Sequence, residues 1–273
     1  MPDSRPTTLI TGSTDGIGKE TARQLLVHGH RVILHGRSAQ RVDAVKADLA
    51  APGRQIHSLV GDLSSLETVR AMAAEALDRF ERIDVLVNNA GIYMNEAKLT
   101  VDGFEQTFAV NHLAPFLLTH LLMPVLGERI INVSSMAHAR GRLDRTTWRS
   151  LRGFDPYGAY AQSKLANVLF TVDLARRLEP GLSTFALHPG VISTKLLTEG
   201  FGMRGPDSLA AGADTSVWLA TDANVTKSPS KSGQYFAKRQ EARMHPLASD
   251  PRAAADFFNE SARLVGVTPL PTR

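Results

Sequence analysis

Three glycines within seven residues, Gly12, Gly16 and Gly18, separate an apolar stretch, Thr7 to Thr11, from a helical one, Ile17 to His28. In the second stretch Ile17, Thr21, Leu25 and Leu26 recur on one side of a helix. A strand that turns through glycines into a helix is the first half of a βαβ unit, and few topologies continue it. The rest of the chain keeps that rhythm. Strands are predicted at Arg31 to His35, Ile56 to Val60, Asp84 to Val87, Arg129 to Val133 and Ser183 to Leu187. Helices are predicted at Ala39 to Ala50, Leu66 to Phe80, Phe104 to Leu126 and Tyr157 to Arg177. This β-then-α alternation specifies an α/β fold, a parallel sheet covered by helices on both faces.

The last third is less regular. Leu196 to Leu209 holds Gly200, Gly202, Gly205 and Pro206 and reads as a mobile segment. A helix at Ala210 to Ala220, a strand at Gly233 to Phe236 and a helix at Pro251 to Leu264 follow. No repeat and no low-complexity linker divides the 273 residues, so residues 1–273 are read as one domain. With 43% hydrophobic residues the chain can fill such a core. It has no cysteine, which excludes disulfides, thiol catalysis and cysteine metal sites, and no metal is expected. Met1 to Pro6 lacks the apolar core of a signal peptide, and Pro115, His120 and Pro124 interrupt the most apolar helix. A soluble, cytoplasmic protein without a membrane span is expected. The net charge of +4 is too small to suggest a nucleic-acid partner, although Arg140 to Arg152 holds five arginines.

The glycine turn, Gly12-Ser13-Thr14-Asp15-Gly16-Ile17-Gly18, lets a pyrophosphate approach the backbone and meet the positive end of the first helix. Its spacing differs from the dinucleotide fingerprint, which begins Gly-x-Gly. The second strand ends His35-Gly36-Arg37-Ser38. An acid there would bind the 2′-hydroxyl of NAD. Arg37 offers a cation for a 2′-phosphate instead, so NADP is expected over NAD, with Asp15 as a mild objection. Asp62, with Leu63 beside it, suits either the adenine edge or a helix N-cap role ahead of Ser64. Asn88-Asn89-Ala90-Gly91 closes the fourth strand with small and amide residues that let a cofactor cross the sheet edge.

Tyr160 and Lys164 stand four apart and share a helix face. A phenol titrates near ~10, and a fixed ammonium beside it favours the phenolate. The pair is therefore a candidate proton-transfer unit.

In this order and at these separations, the glycine turn, Asn88 to Gly91, Ser135, Tyr160/Lys164 and Pro189-Gly190-Val191-Ile192-Ser193-Thr194 resemble the short-chain dehydrogenase/reductase family over nearly the whole chain. Its retinol-dehydrogenase-like branch is similar in His112 to Phe116, Ser163 to Asn167, Ser232 to Phe236 and the 25 residues from Ser135 to Tyr160. The resemblance implies a Rossmann-type doubly wound sheet of about seven parallel strands. It also implies roles. Tyr160 exchanges a proton with the substrate oxygen. Lys164 binds the nicotinamide ribose and lowers the Tyr160 pKa. Ser135, rather than Ser134, polarises the carbonyl, and Asn111 extends a proton relay. Asn89, Ala90, Gly91, Pro189, Gly190, Ile192 and Thr194 join the cofactor site. Segments near 136–156 and 195–210 frame the substrate, with Met136, Trp148, Phe154, Leu196 and Phe201 as lining. His138 is placed at that mouth and His188 at a strand end.

The activity implied is NADP-dependent hydride transfer between nicotinamide and a carbonyl or alcohol carbon of an apolar, fairly bulky small molecule. Arg140, Arg142, Arg145 and Arg149 leave an acidic substrate open, against a solvated basic loop. Two other functions stay open: epimerisation or dehydration with a retained cofactor, and non-catalytic NADP binding. Homodimers and homotetramers are common in the family, and Phe116, Leu117, Leu121 and Leu122 are open as core or as a dimer face.

Overall fold

The computed structural model describes residues 5–226 and 231–273. Strands β1 (Thr7–Ile10), β2 (Arg31–Gly36), β3 (Ile56–Val60), β4 (Ile83–Asn88), β5 (Leu126–Val133), β6 (Ser183–His188) and β7 (Tyr235–Ala237) form a parallel sheet in the order 3-2-1-4-5-6-7. The seven strands implied by the resemblance are joined by an eighth. The two-residue β8 (Gln240–Glu241) pairs antiparallel with β7 across Lys238 and Arg239, both at positive φ (51° and 59°), as the tight hairpin requires. β1 is the pivot: the chain first builds outward through β2 and β3, then crosses to β4 on the other side. That reversal opens a crevice at the carboxyl ends of β1 and β4.

Helices α1 (Gly16–Val27), α2 (Ala39–Leu49) and α7 (Leu209–Thr221), with the short α8 (Ala223–Thr226) following it, cover one face, burying Leu25, Val42 and Val217. Helices α3 (Leu66–Arg79), α5 (Ala114–Leu122), α6 (Pro156–Ala175) and α9 (Pro251–Val265) cover the other, around Val69, Phe116, Phe170 and Phe258. Local chemistry starts these helices where they start. Ser38, Ser65, Asp155, Ser208 and Asp250 each accept a hydrogen bond from a first-turn backbone N–H. Ser65 therefore caps α3. Asp62 makes a tighter turn, accepting from Ser64 N at 2.9 Å.

The region expected as one helix from Phe104 to Leu126 is divided. The buried Glu105 carboxylate accepts from Thr107 N and Phe108 N, both at 2.8 Å, and starts the short α4 (Gln106–Phe108). Burial raises the Glu105 pKa against those amides. A π-helical turn, Ala109–Leu113, leads into α5. A 3₁₀ turn, Met123–Val125, ends the region at Pro124, and β5 begins at Leu126, before the predicted Arg129. Gln106–Val125 is long and apolar enough to cross a membrane by length and composition only, and 72% of its most apolar 18-residue stretch is buried inside the fold, as in a core helix.

Phe116, Leu117 and Leu122 are core residues. Phe258 of α9 lies 4.9 Å from Phe116, ring centre to ring centre, and Phe257 lies 4.9 Å from His112. Trp148 also belongs to this layer. It stacks on Phe108 at 4.8 Å and 9° and is 2% exposed, so it anchors the 136–156 insert and does not line a substrate cleft. The segment Leu196 to Leu209, read as mobile, begins with a π-helical turn, Leu196–Gly200, and is tied back where Ser193 Oγ accepts from Gly205 N at 2.9 Å.

Candidate active site

Four segments meet at the crevice. The first is the glycine turn. Gly12 (φ +63°) lies so close to β4 that a Cβ would sit 2.9 Å from Ala90 Cα, and Gly16 is also left-handed (φ +55°). Such a turn excludes side chains and leaves backbone exposed where a pyrophosphate fits. Thr11 Oγ1 accepts from Asn89 N and Ala90 N at 3.0 Å, and Asn89 Nδ2 donates to Thr11 O (2.9 Å) and Gly12 O (3.1 Å). The asparagine motif thus fixes the glycine turn. His35, unassigned by sequence, does the same from β2. Its Nδ1 accepts from Gly12 N at 3.0 Å while Nε2 donates to Gly61 O at 3.1 Å, and burial lowers its pKa to about 4.

The cofactor candidates divide by what their side chains do. Ser13 is fully buried and accepts from His35 N at 2.8 Å, so its hydroxyl is structural. Leu63 buries its side chain in the core, so only its backbone can face a nucleotide. Thr14 lies at the floor beside Gly36, where a Cβ would meet it at 2.5 Å. Arg37 and Asp62 are exposed at the ends of β2 and β3. Asp15 caps α1 and pairs with Lys195 across the crevice at 2.9 Å; that contact holds its carboxyl below the usual range. The segment after β6 closes the opposite wall. Gly190 (φ +110°) makes its turn, Asp207 Oδ2 accepts from Val191 N at 2.9 Å, and Ile192 is buried against α7 beside Ile17. Thr194 approaches the turn, its methyl 3.3 Å from where a Gly16 Cβ would stand. Pro189 is half-buried at the start of this segment.

The reactive group sits above this cradle. Tyr160 on α6 is 6% exposed and its hydroxyl is hydrogen-bonded to the Ser135 side chain. Ser134, one residue back, turns the other way and donates to Lys164 O at 2.7 Å. Lys164 Nζ donates to Val133 O at 3.0 Å and lies 5.6 Å from the Tyr160 ring centre. A Cβ on Gly91 would meet Lys164 Nζ at 3.3 Å and Asn111 Oδ1 at 3.6 Å, so lysine and amide flank one backbone point. Asn111 lies in the π turn and clasps Ile92 with both amide atoms (2.8 and 2.9 Å), while Nδ2 also reaches Ser163 Oγ at 3.0 Å.

The electrostatics differ from expectation in one respect. Burial pushes Tyr160 up to about 12, outweighing the Ser135 hydrogen bond that lowers it, and burial draws Lys164 down to about 8. The lysine does not bring the phenol toward neutrality. Tyr160 is a protonated donor, already suited to delivering a proton.

An aromatic wall faces Tyr160. Tyr93 lies 5.6 Å from it and 4.1 Å from Phe201, and Phe201 packs edge-on to Tyr160 at 5.2 Å. Tyr157 and Leu196 complete it, and Met136 is 61% exposed outside. Phe154 lies half-buried further along the insert. Tyr93 escaped sequence reading, although it stands two residues beyond Gly91. Tyr157, which no lysine follows at four residues, carries no catalytic mark in the sequence and serves as wall. His138 is not at the mouth: it is buried, donating Nδ1–H to Ser135 O at 2.7 Å and packing on Tyr235 at 4.5 Å.

A protonated tyrosine held by a serine above a glycine cradle, at the switch point of a doubly wound sheet, defines a dinucleotide-dependent oxidoreductase. Comparison with known proteins makes the class specific. The chain belongs to the short chain dehydrogenase family, whose model matches residues 6–203. It is 37% identical to human retinol dehydrogenase 13 over 96% of this chain and 85% of that protein. It is equally similar, at 37%, to human dehydrogenase/reductase SDR family member 13, over 96% of this chain and 74% of the relative. A crystal structure of an uncharacterised protein from Mycobacterium paratuberculosis superimposes with a TM-score of 0.81 at 36% identity, covering 97% of this chain and 95% of the other. A short chain dehydrogenase from Burkholderia cenocepacia, solved in complex with NADP, gives 0.68 at 26% identity over 85% and 95%. The chain is thus an oxidoreductase of the retinol-dehydrogenase-like kind.

Proposed function

We propose that the chain is an NADP-dependent carbonyl reductase or alcohol dehydrogenase acting on an apolar, fairly bulky small molecule. The hydrogen-bonded Ser135–Tyr160 pair, with Lys164 beneath it at Gly91, carries this reading. When bound, the nicotinamide supplies or accepts the hydride. Tyr160 delivers its proton to the carbonyl oxygen, and Ser135 provides the second donor that stabilises the developing alkoxide. Lys164 orients the ribose, and Asn111 stands beside it to replenish the proton. Tyr93, Tyr157, Leu196 and Phe201 supply apolar surface to the substrate, in keeping with the names of the retinol dehydrogenases to which the chain is similar.

Arg37 supports NADP, since it is exposed at the end of β2 where no acid stands. Lys195 offsets the Asp15 charge that spoke against a 2′-phosphate. The test is NADPH oxidation with a panel of aldehydes and ketones. Tyr160→Phe is expected to lower kcat by roughly a thousandfold while NADPH still raises Tm. Full activity of that variant would overturn the mechanism, and a larger Tm shift with NADH would overturn the assignment to Arg37. Bound cofactor with no net turnover would point to epimerisation or dehydration.

A further inference from the structure

The peptide unit between Ser135 and Met136 is held on both polar edges by histidines. On one edge the Ser135 carbonyl accepts from His138 Nδ1 at 2.7 Å and from His138 N at 3.1 Å. On the other, Met136 N donates to His188 Nδ1 at 3.4 Å, at the end of β6. A carbonyl oxygen can only accept, and a backbone N–H can only donate. His138 therefore carries its proton on Nδ1, while the Nδ1 of His188 is bare. Burial lowers the pKa of both rings, so each keeps the single proton its contact requires. The His138 ring is used at one end only. It is 2% exposed, and among the described residues its Nε2 finds no hydrogen-bond partner. Tyr235 packs on the ring at 4.5 Å without satisfying that nitrogen. An orphaned acceptor at this depth destabilises a fold, so packing alone would favour an apolar residue here. The polarity that the ring does use goes to the Ser135 carbonyl.

What this clamp fixes is the direction of the Ser135 hydroxyl. Ser135 is extended and starts a 3₁₀ turn, Met136–Arg140, where its Oγ accepts from Ala137 N at 3.2 Å. One lone pair is occupied in this way, and the hydroxyl is also hydrogen-bonded to Tyr160. The turn lies directly against α6: a Cβ on Gly141 would stand 2.6 Å from the carbonyl oxygen of Ala161, the residue after Tyr160. Serine and tyrosine are thus registered through backbone contacts. A peptide free to rotate at 135–136 would let Oγ drift from the phenol, and the two imidazoles oppose that rotation. We propose that His138, with His188 across the peptide from it, is a positioning residue of the reaction, holding Ser135 Oγ at the Tyr160 hydroxyl where both donors meet the substrate oxygen. The proposal rests on the oxidoreductase reading above and adds a residue to its machinery.

The test is a double-mutant cycle in NADPH-dependent reduction of the best aldehyde or ketone of the panel. Ser135→Ala is expected to lower kcat roughly a hundredfold. His138→Leu, apolar and of similar size, is expected to lower kcat roughly tenfold through misalignment, with KM for NADPH unchanged because the cradle is untouched. In the Ser135→Ala background the same change is expected to cost less than about twofold, since no hydroxyl remains to be aimed. His138→Asn, whose Nδ2 can donate in place of Nδ1, is expected to recover most of the loss. NADPH is expected to raise the Tm of every variant, which shows that fold and cradle survive. A loss equal in both backgrounds, or one that asparagine does not relieve, would make His138 a merely structural residue and overturn the proposal. As a readout independent of turnover, nitrogen NMR of isotope-labelled histidines is expected to show an Nδ1-protonated neutral imidazole that disappears in His138→Leu. If that variant instead removes an Nε2-protonated signal, the clamp is overturned while the oxidoreductase stands. If the wild type binds NADPH and reduces no compound, the oxidoreductase reading fails, and the positioning role with it, even where the Nδ1–H signal is present.

Discussion

Tyr160 and Lys164 show how burial changes what a residue pair can do. Spacing placed them on one face of α6, and the fold adds that the phenol is enclosed by Tyr93, Phe201 and Ser135. Enclosure favours its neutral form, and only the phenolate can take a proton from an alcohol. Alcohol oxidation therefore depends on a base whose population in the free enzyme grows with pH. The kcat/KM for oxidation is expected to climb through the alkaline range, with no plateau near neutrality. Ser135→Ala removes the hydrogen bond that favours the phenolate, so the rising limb is expected to move to higher pH, beyond any fall in rate. A variant profile superimposable on the wild type would show that Ser135 does not act on the phenol. The motif residues were legible because their types are chemically constrained. Tyr93 and His35 were not: a tyrosine two residues beyond Gly91 has no mark of its own, and His35 reveals its use only when its Nδ1 is seen to accept from Gly12 N.

At the scale of elements, α-helices and strands of the sheet were legible from periodicity and punctuation, and their ends less so. The single predicted helix from Phe104 to Leu126 missed its division because the capping carboxylate, Glu105, is buried, and burial is not written in a local pattern. Trp148 was misplaced for a related reason. An apolar residue in an insert near the active site suits a substrate wall as well as a core contact, and stacking on Phe108 decides for the core. The final helix α9 was predicted, but not its seat. It covers α5 and α6, bringing Phe258 to 4.9 Å from Phe116 and 6.0 Å from Phe170. The Arg177 guanidinium lies over the Phe258 ring at 4.2 Å. Phe258→Ala is expected to cost about 3–5 kcal/mol, the range for a large aromatic removed from a packed core. Urea unfolding measures this as a lower midpoint at unchanged slope. A loss under 1 kcal/mol would mean that α9 is only loosely docked.

Across the whole molecule, buried histidines tie the fold to pH, and three of them are shifted furthest. His112 lies between Asn167 and Ser261 at 3.3 and 2.9 Å, with its pKa lowered by burial to about 3. His30, bonded to Thr8 at 2.8 Å, and His35, on the glycine turn, are each lowered to about 4 for the same reason. Their imidazoles stay neutral in the native state, while in the unfolded chain they titrate near ~6.5. As pH falls below that value the unfolded state takes up protons that the native state refuses, so stability drops until the folded values are passed. At about pH 5 each histidine then subtracts on the order of 2 kcal/mol, together a large part of a typical folding free energy of ~5–15 kcal/mol. These residues span β1, β2, the glycine turn, the π turn, α6 and α9, so the loss is expected as one cooperative transition. Urea unfolding at a series of pH values should show stability falling steeply between roughly pH 6.5 and 4. His112→Gln removes one titrating group, and its stability is expected to fall less steeply over that window, whatever its stability at neutral pH. A slope identical to the wild type would place the acid sensitivity in other groups.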